Sequence, residues 1–248
     1  ADGKDLNATP NGSFYTFTSR LGLDVTGPDI GKARSSAKIE TDFGGFSGSN
    51  TMLRIRQAYV NLDWGKSAVL VGITWHPLFG AVMPDVLNLS TGAPFQPFNR
   101  SPQIRYQYKA NSRVQLMASV LWQLQYLSSG PKGMSEDYIK NSCIPEMFVG
   151  ADVTPADGWL MGLGAHMISL KPRTSTEWKE QTFKVNERMT AFSYEAHLKY
   201  SGRNYTFAAK TLMASALDHT ALLGGYGVSS VDSRTCLLYT SPSPRDTR

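Results

Sequence analysis

Long apolar runs are missing from this 248-residue chain. Ala68 to Ile73, with Gly72 inside it, is one of the few, and none exceeds eight residues even when glycine is counted. A membrane-crossing helix needs roughly 20 apolar residues, so no stretch qualifies as one. Cysteine is scarce: Cys143 and Cys236 are too few for a disulfide framework. Charge is thin as well. Charged residues make up 18%, below the roughly 25% of average soluble proteins. No run of Lys or Arg occurs, and a dispersed net charge of +5 gives no footprint for nucleic acid. The four histidines, His76, His166, His197 and His219, lack metal-ligand spacing, and there is no HExxH, CxxC or GxSxG. Gly162-x-Gly164 lacks the third glycine and the βαβ setting of a nucleotide site. No catalytic residue, metal or cofactor is therefore expected. Residues 1–12 form a polar lead, Ala1-Asp2-Gly3-Lys4 at its start, so an export segment is expected to lie upstream or to have been removed.

What the chain does have is alternation. In Gln103–Lys109, Ile104, Tyr106 and Tyr108 share one face, while Gln103, Arg105, Gln107 and Lys109 share the other. After Ala110-Asn111-Ser112, Val114, Leu116, Ala118, Val120 and Trp122 form an apolar face opposite a mostly polar set. Strand side chains alternate sides, so each segment has one greasy and one wet surface. The pattern recurs at Leu21/Leu23/Val25, Ala37/Ile39/Phe43, Val69/Val71/Ile73, Met147/Val149/Ala151, Met161/Leu163/Ala165 and Phe192/Tyr194/Ala196. In 52–64 the apolar parity changes near Gln57, which predicts a bulge. About ten strands are expected, with aromatics at 11%.

The connections are sorted by length. Those at 65–67, 110–112, 154–158 and 201–204 are short; those at 44–51, 77–102, 124–145 and 171–188 are long. Short turns at one end and long loops at the other string an up-and-down outer-membrane barrel. The fold class read from the chain is all-β: an antiparallel up-and-down transmembrane β-barrel over residues 13–235, incomplete. The Pro-rich loop 77–102 is expected to fold inward and narrow the pore.

The end of the chain has another character. Cys236 to Asp246 reads as one translated frame of a transposase-type sequencing adapter, so residues 236–248 are expected to be foreign to the protein. Without them the charge is +4 and Cys143 is the one remaining cysteine, a lone thiol in a polar loop.

Several segments together resemble a family. They are Ser19-Arg20-Leu21-Gly22-Leu23, Ile39-Glu40-Thr41-Asp42-Phe43-Gly44, Leu53-Arg54-Ile55-Arg56-Gln57-Ala58-Tyr59-Val60 and Gly72-Ile73-Thr74-Trp75. With Pro94 to Arg105, the succession is similar to the N-terminal half of the DcaP-like outer-membrane porins over about residues 13–110. Thr41, Gln57 and Ile73 depart from the Gly, His and Gln usual there. The resemblance implies a homotrimer of barrels with about sixteen strands, of which this chain holds about ten. It also implies passage of small, often anionic, solutes across the outer membrane of a Gram-negative cell.

Passage through such a pore is set by the width and charge of its narrowest part. Arg20, Arg54, Arg56 and Arg105 fall on lumen faces, Arg100 closes the long loop, and Lys38, Glu40 and Asp42 face the lumen between them. These eight are the expected pore-lining set, with opposed charges orienting anionic or dipolar solutes. The partners expected are outer-membrane lipid, small hydrophilic solutes and two further copies. Two other functions compete with this one. A soluble or surface glycan-binding β protein would place its aromatics on loops, whereas here they lie mainly on strand faces. A barrel-embedded lipid hydrolase would need Ser169 and His166 aligned on the outer face, and His166 has inward parity.

Overall fold

The computed structural model describes residues 10, 12, 19–47, 50–82, 96–178, 180–231 and 238–241. Ten strands form one antiparallel sheet in sequence order. They are β1 (Arg20–Thr26), β2 (Arg34–Ser47), β3 (Asn50–Asp63), β4 (Ser67–Trp75), β5 (Arg100–Lys109), β6 (Val114–Leu121), β9 (Glu146–Val153), β10 (Trp159–Leu170), β13 (Met189–Ser201) and β14 (Thr206–Met213). Each pairs with the next through neighbouring antiparallel registers, so the architecture is an up-and-down barrel wall. Strands β1 and β14 are its edges, so the wall is open among the described residues.

The alternation read from the sequence sets the two faces. Leu21, Leu53, Val149, Leu163 and Phe207 are exposed on the outward side; Leu163, for example, is 66% exposed. Residues of the opposite parity, including Asp42, Gln103, Ser119, His166 and Glu195, are buried on the inward side. A wall that shows apolar residues outward and buries polar ones inward inverts a soluble protein and matches a membrane barrel. The expected bulge is present. Glu40 pairs with Gln57 and Thr41 with Ile55, which leaves Arg56 as the extra residue and switches the outward parity there. At Gly72 the backbone has φ +136, and a Cβ would lie 2.2 Å from the Ala58 carbonyl oxygen, so only glycine fits.

The connections differ from the sequence reading in three places. The expected loop 44–51 is mostly strand: the β2–β3 register continues through Gly45 with Met52 to Ser47 with Asn50. The 124–145 connection contains a small hairpin, β7 (Ser129–Gly130) with β8 (Gly133–Met134), and one helix, α1 (Asp137–Ser142). Six residues are too few to show a helical period in sequence. The helix is fixed by tertiary packing of Tyr138 and Ile139 on Ile168, Leu170 and Ala191. Trp122 has left strand β6 and packs beside this cluster rather than extending the outward face. Connection 171–188 contains the hairpin β11 (Ser175–Trp178) and β12 (Gln181–Lys184). In the tail, β16 (Leu238–Ser241) pairs with β15 (Gly227–Val231) as a separate hairpin and adds nothing to the wall. Most of the polar lead, 83–95 of the long loop and the rest of 236–248 lie outside the described residues.

Candidate functional site: the inward face

The inward face is occupied by segments from the long-connection end. After β4 the chain turns in at His76, and Pro77–Phe79 makes one 3-10 turn. Leu78 is fully buried against Leu121 of β6, Phe148 of β9 and Leu217. Complete burial of one Leu stabilises by about 2 kcal/mol, enough to favour this path for a short segment. Beside it is a cavity of about 470 Å³ lined by Trp75, Phe79, Arg105, Asp152, Glu195 and His197. Gly162 and Gly164 belong to this surface. A Cβ on Gly162 would meet the His197 ring at 2.3 Å, and one on Gly164 the Phe148 ring at 2.7 Å. Their closeness in sequence reflects two side chains lying flat on the wall, not a nucleotide turn.

The eight residues of the expected pore-lining set separate into three groups. Arg54 and Arg56 meet Asp42 and Glu40 on the neighbouring strand. Arg54 donates to both Asp42 oxygens at 2.9 and 2.8 Å, while Arg56 donates to Glu40 at 2.6 Å and to Asp42 at 2.8 Å. Positive and negative charges therefore stand side by side on one patch instead of facing each other across the interior. Lys38 is paired with exposed Asp24 at 3.0 Å, and Arg20 stands opposite Asp42 in register but stays exposed at the sheet edge. The third group is on β5. Arg105 donates to the Trp75 carbonyl at 2.6 Å and to Gln103 Oε1. Arg100 lies 5.0 Å over the Trp75 ring and donates to the Tyr126 hydroxyl at 2.9 Å. Among the described residues, Arg100 and Arg105 of β5 have no carboxylate partner, and the Arg100 Nε and Nη1 hydrogens find no acceptor.

A second polar centre was not expected. Glu146, at the start of β9, is fully buried. Its Oε2 lies 3.2 Å from His76 Nε2, 3.3 Å from His166 Nε2 and 3.2 Å from His219 Nε2, and its Oε1 accepts from Gln123 at 2.9 Å. Three of the four histidines thus converge on one carboxylate from positions 70, 20 and 73 residues away in the chain. Donor atoms of His76, Glu146 and His219 lie within 4.8 Å of one another, and these residue types suit a transition metal. The hydrogen bonding favours protons instead. Leu78 N–H donates to His76 Nδ1 at 3.2 Å, so the proton of a neutral His76 is on Nε2, where it points at Glu146 and leaves no lone pair for a metal. Burial pushes His76 down to about 4, against the pull of Glu146. Burial also opposes charge on His219, yet the Glu146 carboxylate outweighs it and raises that histidine above its ordinary value. Glu146 thus favours the charged form of His219, whereas burial wins at His76.

His197 forms the third cluster. Its Nδ1 is 3.2 Å from Glu195 and its Nε2 is 3.3 Å from Asp152. Lys210 of β14 donates to the Leu78 carbonyl and, at 3.1 Å, to that of Phe79. Ser169 bonds Thr190 at 3.2 Å while His166 bonds Glu146, so these two are committed to different partners. Cys143 is exposed at the end of α1.

No protein-family model matches the chain, and no curated protein matches it. Among solved structures it is similar to OmpTdeltaL8, a loop L8 deletion mutant of OmpT, an outer membrane protein of Vibrio cholerae. The identity is 15% over 80% of this chain and 63% of that one, with a TM-score of 0.46. The chain therefore spans under two thirds of that structure's length.

Proposed function

We propose that this chain is part of the wall of an outer-membrane porin that lets small hydrophilic solutes diffuse passively, with a preference for anionic or dipolar ones. The observation that carries the reading is the order of the outward face. Its exposed apolar band ends, at the short-turn side, in a row of aromatics: Trp64, Tyr108, Trp159, Tyr200 and Tyr205. Trp159 and Tyr200 lie 4.8 Å apart, Tyr200 and Tyr205 5.7 Å apart, and Lys66 sits 5.8 Å over the Tyr108 ring. An apolar band closed by amphipathic rings suits the boundary between acyl chains and headgroups. A glycan-binding protein would have no use for such a band.

Arg100 and Arg105, without a carboxylate partner among the described residues, support the preference for anions. The resemblance to DcaP-like porins supports the same solutes, a homotrimer and a Gram-negative outer membrane. The function proposed is passage and not catalysis. The test is conductance in planar bilayers under a salt gradient. The reversal potential is expected to favour anions, and Arg105→Gln is expected to reduce that preference. An absence of conductance from protein that is monodisperse without detergent refutes the reading.

A further inference from the structure

The Glu146 cluster joins three parts of the chain that are far apart in sequence, beside the apolar contact of Leu78 with Leu121, Phe148 and Leu217. His76 opens the inward segment, Glu146 and His166 belong to the wall, and His219 sits in the 3-10 turn Asp218–Thr220. We infer that this cluster is a proton-operated latch, holding the 76–79 segment on the inward face while Glu146 is ionised and His76 neutral, and releasing it in acid. The inference stands on the packing and does not require that solutes pass.

The latch has two functional ends. At His76, Nε2 faces Glu146 and Nδ1 accepts the Leu78 N–H, so one neutral ring fastens the segment to the wall and caps its turn. A proton on Nδ1 would set a donor against the Leu78 donor and remove the cap. It would also add a second positive ring 6.2 Å from that of His219, where burial denies both rings water. The far end is held by Lys210 through the carbonyls of Leu78 and Phe79.

Other charges around the segment can be accounted for. His166 lies 5.4 Å from the His76 ring, and Asp218, beside His219, accepts from Ser129 N–H at 2.7 Å. Glu195 lies 3.9 Å from Lys210 and also holds His197, which faces Asp152. The sign follows from His76. Its value is about 4 when latched, against an ordinary 6.5 when released. The ratio of latched to released protein is therefore nearly constant above about pH 6.5 and falls by up to about tenfold per pH unit below it.

The test is thiol accessibility. Leu78→Cys is placed in a chain carrying Cys143→Ser and Cys236→Ser, and its rate with a water-soluble maleimide is divided by that of exposed Cys143 in a Cys236→Ser chain. That ratio cancels the thiol's own dependence on pH. It is expected to rise at least about tenfold from about pH 7 to about pH 5. His76→Gln keeps an N–H for Glu146 but cannot titrate, so the rise should shrink to less than about twofold. Glu146→Gln should leave the thiol introduced by Leu78→Cys reactive already near neutral pH; if that variant does not fold, His76→Gln alone decides. A flat ratio in the parent chain, or an undiminished rise with His76→Gln, overturns the latch. So does release by a metal chelator near neutral pH, which would put a cation where the protons are assigned.

Discussion

Two charged centres on the inward face solve the same problem in different ways. The patch of Arg54, Arg56, Asp42 and Glu40 comes from adjacent strands of one hairpin, and its partners are brought together by strand register. The Glu146 centre comes from separate parts of the chain and depends on two inward-folded segments staying in place. In the first, two guanidinium groups meet two carboxylates, and part of Arg54 reaches solvent at 33% side-chain exposure. In the second, one carboxylate takes every donor and solvent barely reaches it. A local pair is robust because the sheet already fixes its geometry. A long-range centre can report on the conformation that assembles it.

That contrast can be broken at several points. The largest effect is expected from Glu146→Ala, which leaves His76, His166, His219 and Gln123 without their shared acceptor. Removing one side of a buried ionic cluster costs about 3–5 kcal/mol, read as a shift in denaturant midpoint in detergent. Leu78→Ala, which empties the apolar contact beneath the latch, is expected to cost about 3 kcal/mol by the same measurement. Asp42→Asn should cost less, about 2 kcal/mol, because Glu40 remains for Arg56 and Arg54 can turn to water. If Asp42→Asn proves costlier than Glu146→Ala, the ranking of local and long-range centres is wrong.

Dependence on pH sharpens the comparison further. His76 is depressed, so the unfolded chain takes up its proton first and stability falls as pH drops from 6.5 towards about 4, by at most about 1.4 kcal/mol per unit. His219 is raised, so its contribution is complete below its ordinary 6.5 and fades as pH climbs through its folded value. Denaturation midpoints should therefore peak near neutrality, and His76→Gln should flatten the acid side alone. The smallest effect is expected at the exposed Arg34–Asp63 pair, 2.8 Å apart with Arg34 74% exposed. Arg34→Met should change stability by no more than about 1 kcal/mol.

The contrast also explains what was legible in the sequence. Alternation announced the wall, a bulge near Gln57 that falls at Arg56, and the inward placement of Arg54 and Asp42, because each depends on parity within a strand or on the neighbouring strand. The Glu146 centre has no such local signature. His76 and His219 lie in connections, where side-chain direction follows no period, and only the inward parity of His166 hinted at a buried partner. Helix α1 escaped for a similar reason: it is shorter than two helical turns and owes its place to Ile168 and Leu170. The spread of the arginines over paired, edge and carboxylate-free sites was equally hidden, since it depends on which carboxylate each side chain reaches.

The central claim is that lipid covers one face of this wall and the other faces the interior. It is tested most directly by spin labels at Leu163→Cys and Gln107→Cys, on outward and inward parity respectively, in the reconstituted chain with Cys143 and Cys236 replaced. The account predicts that oxygen relaxes the Leu163 label strongly and a water-soluble nickel chelate barely reaches it, with the opposite order at Gln107. Equal access of the nickel chelate to both positions would contradict it, and the wall would then belong to a protein surrounded by water.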